Sequence, residues 1–483
     1  MSISLVAMIL FFGIFFQYLF FLMGPLGSWQ GELESGMAKF RIALVLQRNP
    51  DGKPLAAYNN IDDGIYNQPF KTFVLKGKIF RGELATGEVL DLSVSGFGFG
   101  NELRGTYTQS HGSFQRDGKI SQMILRRGED YLSPRLDSGR HSVTEYQYRV
   151  PLKSPDGWEV DRITDEVVLG KLNAGISQVL SGDLPHIHSL TVAKGGRLVL
   201  DEYFYGYGPD ELHPVQSITK SVFSLLFGIA RDKGWLETDQ KLYRFFPGYR
   251  SRQDWDARKD QMTLEMLLTM RSGFRCDDWK NSAACSWDMV NSPDWLDFVL
   301  SMPLESRPGL QFSYCGACLT PLSVLLARRS GMGLPALAGK FLFEPLGIKD
   351  WDWMEGPDKI TPAAFGLSLK PRDLAKLGQM ILNKGKWNGV QVVSEDWIKR
   401  STSVQVRRNH KKSEADYGYL WWERSLVQGS RKVRVIDGWG VGGQHLFVVP
   451  ERGLVCVIMT GNYKDSQLGG NSLRFFQDYI LGL

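Results

Sequence analysis

Apolar and polar positions alternate through the first part of the chain and give way to a mixed pattern after Thr164. Phe40, Ile42 and Leu44 alternate with their neighbours, as do Val89, Leu92 and Val94 more loosely, which is the period-two signature of half-buried strands. Turn signals such as Asn49-Pro50-Asp51-Gly52 and Arg116-Asp117-Gly118 punctuate this region. No long helical period interrupts it, so residues 28–128 predict a small antiparallel barrel or sandwich. The region holds no cluster of catalytic residue types, which favours a structural or positioning module over a ligand-binding one.

A polar stretch with Ser133-Pro134 and Ser154-Pro155-Asp156-Gly157 makes residues 129–163 a linker. Residues 164–483 then read as an α/β domain, an antiparallel sheet covered by helices on both faces. His188 to Phe204 is a hairpin turning at Lys194-Gly195-Gly196-Arg197. A helix follows over Ser217 to Lys233, burying Ile218, Val222, Leu225 and Ile229 and stopping at Gly234. Further helices are expected at Thr263–Met270, Ala317–Ser330 and Pro371–Asn383. Strands return at Lys432–Ile436, His445–Val449 and Val455–Thr460, before a last helix at Leu473–Leu481.

One segment changes this picture. Ile3 to Leu26 carries no charged residue and is rich in Phe, Leu, Ile and Met, and about twenty apolar residues span a bilayer. Residues 1–27 therefore read as a membrane anchor, with a cleaved signal peptide as the competing reading. Either places the remainder outside the cytoplasm, on the periplasmic or secretory side. The net charge of +5, from 57 basic and 52 acidic residues, is too small over this length to imply nucleic acid. Arg407, Arg408, Lys411 and Lys412 form a local basic run that reads as a solvated loop. Cys456 lies in an apolar strand as an inert thiol. Cys276, Cys285, Cys315 and Cys318 suit one or two disulfides better than zinc, since the first pair lacks zinc-knuckle spacing.

The chemistry starts from Gln216-Ser217-Ile218-Thr219-Lys220 at the head of the helix. The chain contains one Ser-x-x-Lys. Positions i and i+3 share a helix face, so the Ser217 hydroxyl and the Lys220 amine come within hydrogen-bond reach. A serine hydroxyl attacks only when a base takes its proton, and a helix N-terminus turns backbone N–H groups towards a developing oxyanion. Rival signatures are missing: no Gly-x-Ser-x-Gly elbow, no His-Glu-x-x-His, no phosphate loop. His213 lies close enough to line the pocket mouth, where a hydrogen-bonded structural role suits it better than catalysis.

Several segments in order extend the motif: Val215–Val222, Thr263–Gly273, Pro308–Tyr314, Leu374–Gln379 and Gly440–Gln444. With them, the chain from about Ser189 onward resembles the serine β-lactamase-related superfamily, especially its class C branch and the esterase and amide-hydrolase relatives. The resemblance implies a β-lactamase/transpeptidase-like domain without metal or organic cofactor. It casts Ser217 as the acylated nucleophile, Lys220 as proton acceptor, and Tyr314 as the phenol that passes a proton to the leaving group. The run holding Gly440, Gly442 and Gly443 matches the strand that flanks the substrate, and the Gly443 N–H would join that of Ser217 in the oxyanion hole.

Two departures shape the expected substrate. Gly316 stands where the family's Tyr-x-Asn element has asparagine. Gly440 and Val441 stand where a cation and a hydroxyl residue recognise the carboxylate of β-lactams. Arg271, Arg275 and His445 are candidates to replace that charge. The expectation is an ester or amide hydrolase taking a small-molecule or peptide substrate, with D-amino-acid peptides as an option and β-lactams as poor substrates. The alternative is a silent protein of the same fold that senses cell-wall fragments. The sequence does not address oligomeric state.

Overall fold

The computed structural model describes residues 27–483 apart from 36–37, 63–64, 77–78, 86–87, 96–101, 109–119, 128–131, 136–141, 281–283, 409–414 and 464–468. The apolar segment from Ile3 to Leu26, read above as an anchor, lies outside the described residues. Among the described residues no helix is long and apolar enough to cross a membrane. The chain divides after Ser142 into two compact units.

In the first unit eight strands run in sequence: β1 (Gly27–Ser35), β2 (Ala38–Arg48), β3 (Pro54–Asn60), β4 (Ile65–Lys76), β5 (Ile79–Leu84), β6 (Val89–Ser95), β7 (Glu102–Thr108) and β8 (Ile120–Arg127). Each pairs antiparallel with the next, and β8 returns to β1 with Leu33 opposite Met123, closing a barrel. Closure removes the exposed sheet edges that an open meander would present. Inward side chains, among them Trp29, Leu44, Phe80, Leu103 and Leu125, are fully buried.

The second unit is built on an eight-stranded sheet. Its strands are β9 (Glu159–Val160), β10 (Ile187–Lys194), β11 (Arg197–Tyr203), β12 (Ala415–Tyr417), β13 (Trp422–Gln428), β14 (Arg431–Gly440), β15 (Gln444–Val449) and β16 (Leu454–Thr460). They lie in the order β12-β13-β14-β15-β16-β10-β11-β9, antiparallel except for β9 beside β11. The β10–β11 hairpin turns at Gly195 and Gly196 with φ of 57° and 81°, the left-handed pair a two-residue hairpin demands.

Helices cover both faces. They include α1 (Glu166–Ser181), α2 (Ile218–Asp232), α3 (Thr320–Ser330), α4 (Pro371–Leu382) and α5 (Asn471–Phe475). On one face Gly378 of α4 presses against Leu446, Val448 and Val455. On the other Phe447 stacks on Phe476, just beyond α5, at 4.0 Å. With both faces covered, every residue of β15 and β16 is buried, which explains their unbroken apolar run.

The segment read from sequence as a linker belongs in part to this second unit, which starts at Val143 rather than near Thr164. One buried guanidinium explains why. Arg372 of α4 donates to Asp201 Oδ2, Asp156 Oδ2, Ser154 Oγ and the Leu152 carbonyl, each at 2.9 Å. Trp158 adds its indole N–H to the Arg372 carbonyl at 3.1 Å. Arg372→Ala would leave Asp201 buried without its partner, and such losses cost roughly 3–5 kcal/mol. We expect a clear fall in the urea midpoint of the second unit, followed by tryptophan fluorescence.

Candidate active site

Helix α2 begins under tension. Gln216 holds φ at 52°, an uncommon conformation for a residue with a side chain. This places Ser217 at the N-cap with φ −68° and ψ −4°. A serine there ordinarily accepts from the helix's first N–H groups. The Ser217 hydroxyl makes no such bond and instead receives the Lys220 Nζ at 2.8 Å. The same Nζ donates to the Ala364 carbonyl at 3.0 Å and sits 4.8 Å from the centre of the Tyr314 ring. Lys220 is only 3% exposed. The structure thus gathers Ser217, Lys220 and Tyr314 in one cluster.

Tyr314 is held by a loop whose organiser is Asp278. The Asp278 N–H donates to the Tyr314 carbonyl at 2.8 Å, and its Oδ2 accepts from the Gly316 N–H at 2.8 Å and the Ser286 hydroxyl at 2.9 Å. Ser286 Oγ in turn accepts from the Ala317 N–H. A Cβ at position 316 would lie 3.0 Å from Ser286 Oγ and 3.2 Å from both Ala364 Cβ and Asp278 Oδ2. The place of the family's asparagine is therefore already filled by neighbours. Two disulfides, Cys276–Cys285 and Cys315–Cys318, bracket this loop, and Cys456 is a buried free thiol.

The glycine run does not form a continuous strand. Gly440 ends β14 and Gln444 starts β15, while Gly442 and Gly443, at φ 85° and 93°, make the turn between them. Gly440 is beside the nucleophile: a Cβ on it would lie 2.7 Å from the Val215 carbonyl and 2.9 Å from Gln216 Cβ. The Gly443 N–H turns to the Gly440 carbonyl at 3.3 Å, and its carbonyl accepts from Ser472 Oγ at 2.7 Å. Gly442 likewise packs against Tyr463.

Of the candidate replacement cations, His445 is buried. Its Nδ1–H donates to Asp437 Oδ1 at 2.9 Å, and Arg424 donates to the other oxygen at 2.6 Å. Arg275 is exposed, and Arg271 is half-buried. His213 donates from Nδ1 to the Pro214 carbonyl at 3.0 Å and meets His188 at 2.9 Å, a structural pairing.

Sequence reasoning missed an aromatic wall as well as Asp278. Trp279 stacks on Tyr314 at 4.7 Å and on Trp422 at 5.6 Å, and Trp422 meets Trp439 edge-on at 5.8 Å. Trp279 remains 46% exposed, so the wall presents an apolar face to solvent beside the cluster. No spacing rule would have joined these tryptophans, since they come from a loop and two separate strands.

Comparison with known proteins agrees with this geometry. The family model described as Beta-lactamase matches residues 188–470. The chain belongs to the beta-lactamase family. It is a serine hydrolase of that superfamily. The 6-aminohexanoate-dimer hydrolase of Paenarthrobacter ureafaciens is 23% identical over 285 residues, covering 55% of this chain and 70% of that protein. Among solved structures, a Bacillus anthracis protein named for the same activity superposes with a TM-score of 0.53 at 20% identity, over 61% of this chain and 79% of that one. An octameric penicillin-binding protein homologue from Pyrococcus abyssi gives 0.51 at 20% identity, over 65% and 76%.

Three outcomes follow for this hydrolase. Alkylation of the denatured protein should label one cysteine without reductant and all five with it, read by intact mass. Asp278→Ala should lower kcat by about 10²-fold, the scale of a small misplacement of a reacting group, read with a chromogenic ester. Burial works against ionisation of Asp437, but His445 and Arg424 outweigh it and hold its carboxyl below the usual range. A depressed carboxyl stabilises the fold above its unfolded value, near pH 4, and loses that contribution as pH falls through the folded value. Asp437→Asn should therefore be less stable at neutral pH and lose less on acidification below about pH 4, read by urea titration at each pH.

Proposed function

We propose that the protein hydrolyses an ester or amide through an acyl-enzyme on Ser217. The observation that carries this reading is the 2.8 Å contact between Ser217 Oγ and the buried Lys220 Nζ. Lys220 takes the hydroxyl proton while Ser217 attacks the carbonyl carbon. Tyr314, whose ring centre lies 4.8 Å from that nitrogen, relays the proton to the departing oxygen or nitrogen, and water then releases the acyl group by the reverse route.

The oxyanion calls for two N–H donors. Ser217 supplies one. The second is Val441, next to Gly440 at the end of β14, whose N–H makes no backbone bond among the described residues. The filled space around Gly316 and the Gly440-Val441 pair support a substrate other than a β-lactam. The 6-aminohexanoate-dimer hydrolases among the relatives favour an amide. The two disulfides support an oxidising, extracytoplasmic location, with residues 1–27 as the anchor or export signal and residues 28–128 as a positioning module.

Exposure to a fluorophosphonate tests the reading. The parent should gain one adduct by intact mass and Ser217→Ala none. A well-folded parent without an adduct would overturn it. Lys220→Met should lower kcat/KM for a chromogenic ester by about 10²–10⁴-fold, the usual contribution of a positioned base.

A further inference from the structure

We propose that the cleft beside the aromatic wall is a subsite for an anionic group, a carboxylate above all, so that the natural substrate is an ester or amide ending in a free acid. This rests on the reading of Ser217 as nucleophile and adds to it the class of substrate. The cleft has a volume of about 470 Å³, and its lining includes Arg271, Leu310, Phe312, Gln405, Arg407 and Arg408. Three cations from two distant stretches of the chain converge here, and among the described residues no carboxylate lines the space. In a chain whose charges nearly balance, that convergence comes from the fold.

Each arginine has a different tether. Arg408 is fixed by rings: its guanidinium carbon lies 4.6 Å from the centre of Phe312, 4.8 Å from Trp279 and 5.1 Å from Trp422. Its backbone N–H donates to Asp416 Oδ1 at 2.9 Å. Stacking fixes the plane of a guanidinium and aims its N–H edge, which suits two-point recognition of a carboxylate. Burial pushes the Arg408 group down from its ordinary value, with Tyr417, Asp277 and Asp416 opposing, so a bound anion would relieve part of that cost. Arg271 donates from Nε to Thr269 Oγ1 at 3.0 Å and makes no ion pair among the described residues. Arg407 is mostly exposed and lies 3.6 Å from Asp416 Oδ2, so it contributes least.

The cleft is coupled to the reacting atoms by contact. Arg408 stacks on Trp279, Trp279 stacks on Tyr314, and the Tyr314 ring faces Lys220 Nζ, each step being 4.7–4.8 Å. A substrate whose carbonyl sits at Ser217 would lay its apolar stem along these rings and reach the arginines with its far end. The family's own cation-and-hydroxyl device is missing at Gly440 and Val441. The arginines come from other segments of the chain, so the acid they select need not lie where a β-lactam carries its carboxylate.

Matched p-nitrophenyl esters test this: dicarboxylic half-esters of increasing chain length, each beside its methyl-capped neutral twin. The readout is the ratio of kcat/KM for acid over capped ester, which cancels general losses of activity. The parent should prefer the acid by roughly 10- to 100-fold at one chain length, the value of a hydrogen bond to a charged group, and less at high salt. Arg408→Gln and, separately, Arg271→Ala should bring the ratio towards one. Lys171→Gln, an equal loss of charge at an exposed position of α1, should keep it. A parent ratio of one or below at every length, or a ratio that neither arginine variant lowers, overturns the subsite. Fluorophosphonate labelling of Ser217 in the same samples separates the two readings, because label without acid preference removes only the subsite. If Ser217 takes no label, calorimetric titration with suberate decides: binding by the parent that both arginine variants abolish keeps the anion site, and no binding by the parent ends it.

Discussion

A lysine side chain is withdrawn from water only at considerable cost unless its nitrogen is met by polar partners. Lys220 is withdrawn almost completely, and its partners are few: a serine hydroxyl, the Ala364 carbonyl and the face of Tyr314. The serine is local, but Ala364 and Tyr314 come from two remote segments that the fold must bring to one nitrogen. Much of the second unit can be understood as the scaffold that does so. Helix α2 supplies the lysine and the serine together. The loop around Ala364, between α3 and α4, closes one side, and the disulfide-bracketed loop around Tyr314 closes another.

The end of the helix is fixed by a second constraint, which is space. Strand β14 crosses the head of α2 with Gly438 against Ile218 and Ser221, and Gly440 against Val215 and Gln216. A side chain at either position would meet the helix or the turn before it. Such close approach lets the left-handed Gln216 persist, because its neighbours leave the turn little room to relax. It also brings the end of this strand beside the turn that carries the serine. Where the family resemblance places a lysine or histidine, this chain has glycine, and the close approach leaves no room for a side chain there.

How much of this could be read in the sequence depended on distance along the chain. Ser217 and Lys220 lie three apart on one helix, and local periodicity suffices to pair them. The β10–β11 hairpin was equally plain, because Gly195-Gly196 declares its own turn. The barrel's alternation showed strands but not closure, since β1 and β8 meet only through a register that no local pattern encodes. The run Gly440–Gln444 was equally consistent with a bulged strand and a turn; the positive φ angles of Gly442 and Gly443 choose the turn. Asp278, Trp279, Trp422 and Trp439 were invisible as a group, because their meeting is a tertiary event. The stretch 143–160 looked like a linker by composition, and a single buried arginine 200 or so positions later, Arg372, makes it part of the unit.

These observations bear on why the Tyr314 loop is so heavily secured. In the proposed reaction the Tyr314 phenol moves a proton between Lys220 and the leaving group, and it then tolerates little displacement, since proton transfer falls off steeply beyond hydrogen-bond reach. Yet the loop that carries it is short of regular secondary structure, and its neighbour Trp279 stands half in solvent. The two disulfides and the Asp278 carboxylate supply the rigidity that a helix or strand would have given. The same fastening sets the position of Trp279, and through it the ring face on which Arg408 rests. The Tyr314 phenol, the apolar wall and the stacked guanidinium therefore share one mechanical support, so a change that loosens Asp278 should disturb turnover and substrate choice together.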